Sequence, residues 1–354
     1  MEIRLDGVRI SNSSMLDFKN GTTAPVQHSF NCIAATYVSA GTHTVQLVGY
    51  NHPSVSGGEF YVGSGSNLSV VVNPSNVITY GAMASDSAEI NVSTYPFSPP
   101  IQTVNVLSAS HTAAAAPVIV LTSGRSYDDL AKYGDSMWGT YINGQCPTFA
   151  QQMWTVNDLS TTSESHAPMF GQALYNTSGN VTVQLAATEL PYINPPTQNP
   201  VEYKVGSTTS VVALSGNIPI NGAVAQLPTV QCDPNHYVPA GTGTHNFWNT
   251  SFQVQSGQNG NVMFLLKTRV FDCQDTNAGP GTFKLQLVLD GTLVGSVGDQ
   301  DYSTNNTCHS RTLAASYLAM HLAAGTHTVA GNVNVTGLPN GVVSGDLGLI
   351  FFGN

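Results

Sequence analysis

The chain has 354 residues, 41% apolar and only 8% charged, with ten Lys and Arg against twenty Asp and Glu for a net charge of −10. Average domains carry about 25% charged residues. There is no basic stripe for phosphate contacts, so nucleic acid is not an expected partner, and polarity supplied by neutral Ser, Thr, Asn, Gln and Gly does not fit disorder.

At the N-terminus, Ile3-Arg4-Leu5 predicts a strand and Asp6-Gly7 a two-residue hairpin turn, both of whose residues must tolerate positive φ. Val8-Arg9-Ile10 is the return strand. Glu2, Arg4 and Asp6 speak against a signal peptide. Residues 33–38 predict another strand, which enters a turn at 39–42 and continues as the alternating Thr44-Val45-Gln46-Leu47-Val48. Phe60-Tyr61-Val62 and the apolar 68–72 close this first unit. Within 74–99, Ala88-Glu89-Ile90-Asn91-Val92-Ser93 alternates like a strand, and Pro96, Pro99 and Pro100 mark the passage to the next unit. Ser126 as N-cap, with Asp129 three residues on, predicts one short helix at 127–132. The remainder reads as strand and turn, and no apolar run approaches the roughly twenty residues of a membrane helix.

The chain repeats itself. Ala40-Gly41-Thr42-His43-Thr44-Val45 returns as Ala324-Gly325-Thr326-His327-Thr328-Val329, and Leu5-Asp6-Gly7 as Leu289-Asp290-Gly291, both at an offset of 284. A diverged copy between them aligns Ile142-Asn143-Gly144 and Gly179-Asn180-Val181-Thr182-Val183-Gln184-Leu185 with the same two motifs. Each copy closes on an apolar strand, at 68–72, 211–214 and 347–352. Two motifs recurring at one shift mark a duplicated unit. The expected organisation is a first module at 1–99, a second at 100–214, a linker at 215–243 and a third at 244–354.

The first copy is short. Strand-like sequence precedes the turn at 103–141 in the second copy and at 244–289 in the third, against five residues in the first. An incomplete sheet leaves open edges. The missing strands are expected from residues 74–99, with donation by a neighbouring subunit or sequence upstream of Met1 as alternatives.

Short strands joined by Gly/Asn turns, with the Leu-x-x-Gly-Thr-His-Thr-Val hairpin that Leu322-Ala323-Ala324-Gly325-Thr326-His327-Thr328-Val329 matches best, resemble the jelly roll of the tumour necrosis factor and complement globular-head superfamily. The versions in bacteriophage tail and capsid-surface proteins are more similar still. The resemblance covers about 290 residues if all three copies count. It implies an all-β chain of three tandem jelly-roll sandwiches, the first lacking its N-terminal strands, and modules that trimerise through sandwich edges. Fold alone does not fix function.

A search for chemistry finds no nucleophile elbow, phosphate loop, His-Glu-x-x-His or paired metal cysteines. The glutamates at 2, 59, 89, 164, 189 and 202 never recur at matching places, so the facing carboxylates of a glycosidase have no support. An enzyme is not expected, nor any cofactor. His43 and His327 recur, which suits a metal ligand or pH sensor, but a ring covering the hairpin end is favoured. Asn180 takes this place in the second copy, a change that a ligand required by every copy would not tolerate. Asp299 and Asp301 offer oxygens to Ca²⁺, and Asp17 corresponds to Asp301, but calcium takes about six to eight oxygens. A solvated loop is expected there, and likewise at Asp272-Cys273-Gln274-Asp275. The five cysteines at 32, 146, 232, 273 and 308 read as free thiols of a reducing cytosol, with a Cys232–Cys273 bridge as the alternative.

Residues 125–141 are richest in charge and aromatics. Tyr127, Asp128, Asp129, Tyr133, Asp135 and Trp138 are the candidates for a partner or sugar surface. The leading expectation is a non-enzymatic structural protein of a phage virion surface, a capsid decoration or a tail fibre or spike component. It would assemble in the host cytoplasm as a homo-oligomer, a trimer, beside other virion proteins. A glycan- or receptor-binding adhesin at a fibre tip, holding a host surface glycan, is the alternative.

Overall fold

The computed structural model describes residues 1–12, 30, 32–49, 66, 68–70, 72, 79–85, 90–91, 103–113, 118–128, 134–144, 152–156, 165–175, 179–190, 203–205, 209–215, 225–226, 238–273, 281–301, 308–337 and 341–352. They form twenty-two strands and no helix, and every ladder is antiparallel. The first copy contributes β1 (Glu2–Leu5), β2 (Val8–Asn12) and β3 (Val45–Val48). Next come β4 (Thr79–Ser85), β5 (Ile90–Asn91), β6 (Thr103–Ala113), β7 (Val118–Asp128) and β8 (Gly134–Ile142). They are followed by β9 (Gln152–Val156), β10 (Ser165–Tyr175), β11 (Gly179–Leu190), β12 (Tyr203–Val205) and β13 (Ser210–Ser215). The last part holds β14 (Ala225–Gln226), β15 (Val238–Ala240), β16 (Gly243–Val254), β17 (Asn261–Cys273) and β18 (Gly281–Leu289). It ends with β19 (Thr292–Asp301), β20 (Cys308–Ala319), β21 (Gly325–Thr336) and β22 (Gly341–Phe352).

The third copy shows why this sequence folds as it does. Its Gly-Thr-His-Thr-Val strand β21 alternates between inward and outward residues, as a strand with one dry face must. It lies between β16 and β18, with β19 beyond, and its inner residues share one core with β17 and β20 of the facing sheet, in the order β22-β17-β20. Trp248, Phe264, Leu266, Leu285, Leu287 and Leu313 are fully buried there, and each buried side chain of this size stabilises by about 1.5–3 kcal/mol. Gly331 leaves the space that Trp248 fills. A Cβ on it would stand 2.8 Å from both Trp248 Cε3 and Leu266 Cδ1.

The repeat read from the sequence is a repeat of geometry. Asp6 and Gly7 have φ of 48° and 81°, Asn143 and Gly144 52° and 73°, Asp290 and Gly291 47° and 78°. These are the paired positive φ values of a type I′ hairpin turn. The strand ahead of each turn pairs with the Gly-Thr-His-Thr-Val strand at matching places: Leu5 with Val45, Ile142 with Val183, Leu289 with Val329. A bulge falls between Ile3 and Arg4 in the first hairpin and between Leu287 and Val288 in the last, again 284 apart. The four-strand orders β16-β21-β18-β19 and β6-β11-β8-β9 run in parallel, and the first copy has three strands of this set, β3-β1-β2.

Several expectations are corrected. The described parts of 74–99 do not join the first copy: β4 pairs with β13 and β5 with β12, so 79–85 and 90–91 extend a sheet of the second. The stretch 215–243 supplies β14 and β15 to the edge of β22. No helix begins at Tyr127, because Tyr127 and Asp128 continue β7 opposite His166 and Ser165 of β10. The rest of that helix, 129–132, lies outside the described residues. Asp299 and Asp301 are in β19, not in a loop, and Asp272 and Cys273 close β17. Residues 33–38 form no strand. Their counterpart in the third copy is 317–322, of which 317–319 end β20 and pair with β17, and among the described residues the first copy has no such neighbour. The peptide of Ile33 is held by hydroxyls instead. Ser123 Oγ accepts from its N–H at 3.0 Å, and Ser210 Oγ donates to its carbonyl at 3.1 Å. Both serines are buried in the second copy's sheet.

Candidate functional site

The constellation that recurs with full geometry is an Asp–His corner, placed by the hairpin turn on one side and by the loop into the Gly-Thr-His-Thr-Val strand on the other. In the third copy Asp290 Oδ1 accepts from the Thr328 N–H at 2.8 Å, and the Asp290 N–H donates to the Thr328 carbonyl at 2.9 Å. His327 Nδ1 donates to Asp290 Oδ2 at 2.7 Å, and Nε2 donates to the Ala323 carbonyl at 2.8 Å. The first copy repeats this with His43 on Asp6 at 2.7 Å and on the Ser39 carbonyl at 2.8 Å, and Thr44 N–H on Asp6 at 2.8 Å. The His residues found by sequence are therefore fastenings at the hairpin end. Their Asp partners were missed, although both stand 37 residues ahead of their His.

The second copy keeps the alignment of Gly179 with Gly41 and corrects the residue matched with the His. Asn143 Oδ1 accepts from the Thr182 N–H at 2.9 Å and Asn143 N–H donates to the Thr182 carbonyl at 2.9 Å. Thr182 therefore corresponds to Thr44 and Thr328, and the His position is taken by Val181, not Asn180. Val181 is buried, so an apolar side chain does there what a bonded ring does in the other copies.

Both His nitrogens face acceptors, so only the imidazolium, with two N–H groups, satisfies both bonds. The bond to Asp6 first, then that to the Ser39 carbonyl, raises the His43 pKa above its ordinary 6.5. The Ala323 carbonyl and then Asp290 raise that of His327. Asp6 is lowered from 3.8 by the Thr44 N–H and then by His43, and Asp290 by His327 and then the Thr328 N–H. A raised His contributes stability below its ordinary value and loses it as pH rises through the raised one; a lowered Asp contributes above its ordinary value and loses it as pH falls through the lowered one. The corners are thus tightest between 3.8 and 6.5. We expect Asp290→Asn, which keeps the acceptor that Asn143 supplies naturally, to be milder than Asp290→Ala, which loses about 1 kcal/mol. Urea midpoints at pH 5 and pH 9 check this, and the gap between Asp290→Ala and the parent narrows at the higher pH.

Four of the six candidates of 125–141 are described by their backbone. Tyr127 and Asp128 lie on β7, in the sheet of β10, β12 and β13, whereas Asp135 and Trp138 lie on β8, opposite Leu190 and Ala187 of β11 in another sheet. Asp129 and Tyr133 lie outside the described residues, as do Asp17, Cys146 and Cys232. Cys273 stands opposite Cys308 in the register of β17 and β20, and Cys32 Sγ donates to the Met1 carbonyl at 3.9 Å. Among the described residues no group of three or more His, Cys, Asp or Glu could hold a metal, and no helix is long and apolar enough to cross a membrane.

What sets the first copy apart is exposure. Six of the eight exposed large apolar side chains among the described residues belong to it: Val8, Tyr37, Val38, Leu68, Val70 and Val72. Val45 and Leu47 are only half-buried, while Val183, Leu185 and Val329 at the matching positions are fully buried.

No protein-family model matches the chain, and no curated protein sequence does. Among solved structures it is similar to PNGF-II at 10% identity, over 78% of this chain and 66% of that one, with a TM-score of 0.31. The insecticidal delta-endotoxin Cry8Ea1 from Bacillus thuringiensis matches at 11% identity over 76% and 60%, TM-score 0.23. The CBM22-1-CBM22-2 tandem domain of Paenibacillus barcinonensis Xyn10C matches at 9% over 80% and 100%, TM-score 0.20. The chain spans a little under two thirds of the first two. At these scores none of the three bears on function.

Proposed function

We propose that this chain is a non-enzymatic structural protein of a bacteriophage virion surface, a capsid decoration or a component of a tail fibre or spike. Its three copies are tandem jelly-roll modules of the tumour necrosis factor type, and it assembles as a homotrimer through sandwich edges and faces. The observation that carries this reading is the uncovered apolar side of the first copy, beside two further copies of the same unit. A protein whose activity is assembly leaves apolar surface for its neighbours to bury. The low charge and the absence of a recognisable catalytic motif in the sequence support the same reading.

The test is to locate the chain on the parent particle by immunogold electron microscopy. Label on the head surface or the tail is the expected result, and purified particles without the chain would overturn the assignment. Light scattering at micromolar concentration checks the trimer separately.

A further inference from the structure

We propose that Cys273 and Cys308 form a disulfide across the end of the β17–β20 ladder, a covalent staple that closes the third copy around its β18–β19 hairpin. The proposal stands on strand register, replaces the expectation of free thiols for these two residues, and does not depend on the virion reading.

β17 and β20 pair without a bulge from Val262 opposite Ala319 to Cys273 opposite Cys308, so the two cysteines form the last rung. Directly opposite residues of an antiparallel pair share one face of the sheet, with Cα atoms about 4.5 or 5.5 Å apart according to the kind of rung. A disulfide takes Cα separations of about 4.4–6.8 Å. Both kinds of rung fall inside that range, so the strands need not move to be bridged. A slip of one residue would put the cysteines on opposite faces. That slip is prevented lower in the same ladder, where Phe264 and Leu266 of β17 and Leu313 of β20 are fully buried in the core.

The place of the rung gives the bond its effect. β22, on the other side of β17, pairs with it only up to Phe271, so among the described residues Asp272 and Cys273 have β20 alone beside them. Ladder ends of this kind open first. Between Cys273 and Cys308 the chain crosses to the facing sheet, builds β18 and β19 there with the Asp290-Gly291 turn between them, and comes back to β20. The bond therefore closes a ring of 36 residues about that hairpin, and a closed ring of this size removes much of the freedom of the unfolded chain.

The step is thiol–disulfide exchange with a small disulfide, oxidised glutathione. The thiolate of one cysteine attacks a glutathione sulfur, breaks the S–S bond and releases one glutathione, which takes up the proton. The thiolate of the other cysteine then attacks the protein-bound sulfur and releases the second glutathione. The two protein thiols lose two electrons, and the reagent gains them.

Tryptic cleavage puts each of the five cysteines in a peptide of its own, Cys273 in 270–284 and Cys308 in 285–311. The test incubates the full-length chain with oxidised glutathione, blocks the remaining thiols and reads the unreduced digest by mass spectrometry. The expected product is 270–284 joined to 285–311 within one chain, with a melting temperature about 10 °C above that of the same protein in dithiothreitol. Cys308→Ser is expected to abolish both the joined peptide and this difference, while melting like the reduced parent. Three results would overturn the inference: both peptides found unjoined, 270–284 joined instead to the Cys232 peptide 205–267, or joined peptides of mixed isotope from labelled and unlabelled chains, which would place the bond between molecules. A joined peptide with no rise in melting temperature would overturn the stapling role. None of these outcomes bears on the virion reading, which particle labelling tests separately.

Discussion

Trp248→Ala lowers the unfolding free energy of the third copy by about 3–5 kcal/mol. Trp248 is fully buried, reaches from β16 over Gly331 of β21, and meets the same space as Leu266 of β17. Its loss opens a cavity that cannot collapse, because the Gly331 backbone on one side is fixed in the ladder between β16 and β18. Urea denaturation followed by far-UV circular dichroism checks it, with a midpoint shift of about 1 M or more expected. A shift under about 0.3 M would place Trp248 outside the core. The second copy offers a natural control. Leu107 faces Leu185 where Trp248 faces Gly331, so one large residue opposite none is exchanged for two of middle size. W248L combined with G331L is accordingly milder than G331L alone, whose side chain meets the indole directly.

The second large effect falls on a backbone. Gly260→Ala destabilises by about 2–4 kcal/mol. Gly260 has φ of +62° and accepts from the Leu322 N–H at 3.0 Å. A Cβ there would lie 2.1 Å from the Leu322 carbonyl oxygen and 2.6 Å from its nitrogen, so the clash is with backbone and no rotamer relieves it. Leu322 precedes Ala323, whose carbonyl receives His327. The displacement is therefore legible at a distance from the mutation: proton NMR should show the His327 titration moving back toward its ordinary 6.5. A variant with parental stability and an unchanged His327 would show that the loop can shift freely.

How much of this could be read from the chain depended on the kind of signal. The Asp-Gly and Asn-Gly turns are local, since two adjacent residues carry the whole requirement for positive φ, and all three were legible. The alternating 44–48 was legible too, because alternation is likewise a local signal. Strand partners were not. Residues 79–85 pair with 210–215 across more than a hundred intervening positions, and alternation says that a strand exists without saying which edge takes it. The capping pattern at Ser126 misled because a local helix signal was overridden by eleven cross-strand pairs between β7 and β10. Residues 33–38 misled in the opposite sense: the sequence is strand-like, but no strand among the described residues pairs with it. At the corners the His was visible because it sits in a conspicuous motif. Its Asp is fully accounted for by the turn, so the sequence carries no separate sign of the bond to the ring, and the Asn143–Thr182 bonds show that Val181, not Asn180, stands at the corner, as the alignment of Gly179 with Gly41 requires.

Ser123 and Ser210 reach out of the second copy to hold the peptide of Ile33. Their grip reaches across what a reading by modules would treat as a boundary. A gene shortened to end at codon 99 removes both hydroxyls while keeping every residue that looks like the first domain. We expect the product to hold Ile33 less firmly than the full chain does, by about 1 kcal/mol for each lost bond, so the N-terminal region is better studied with the second copy attached.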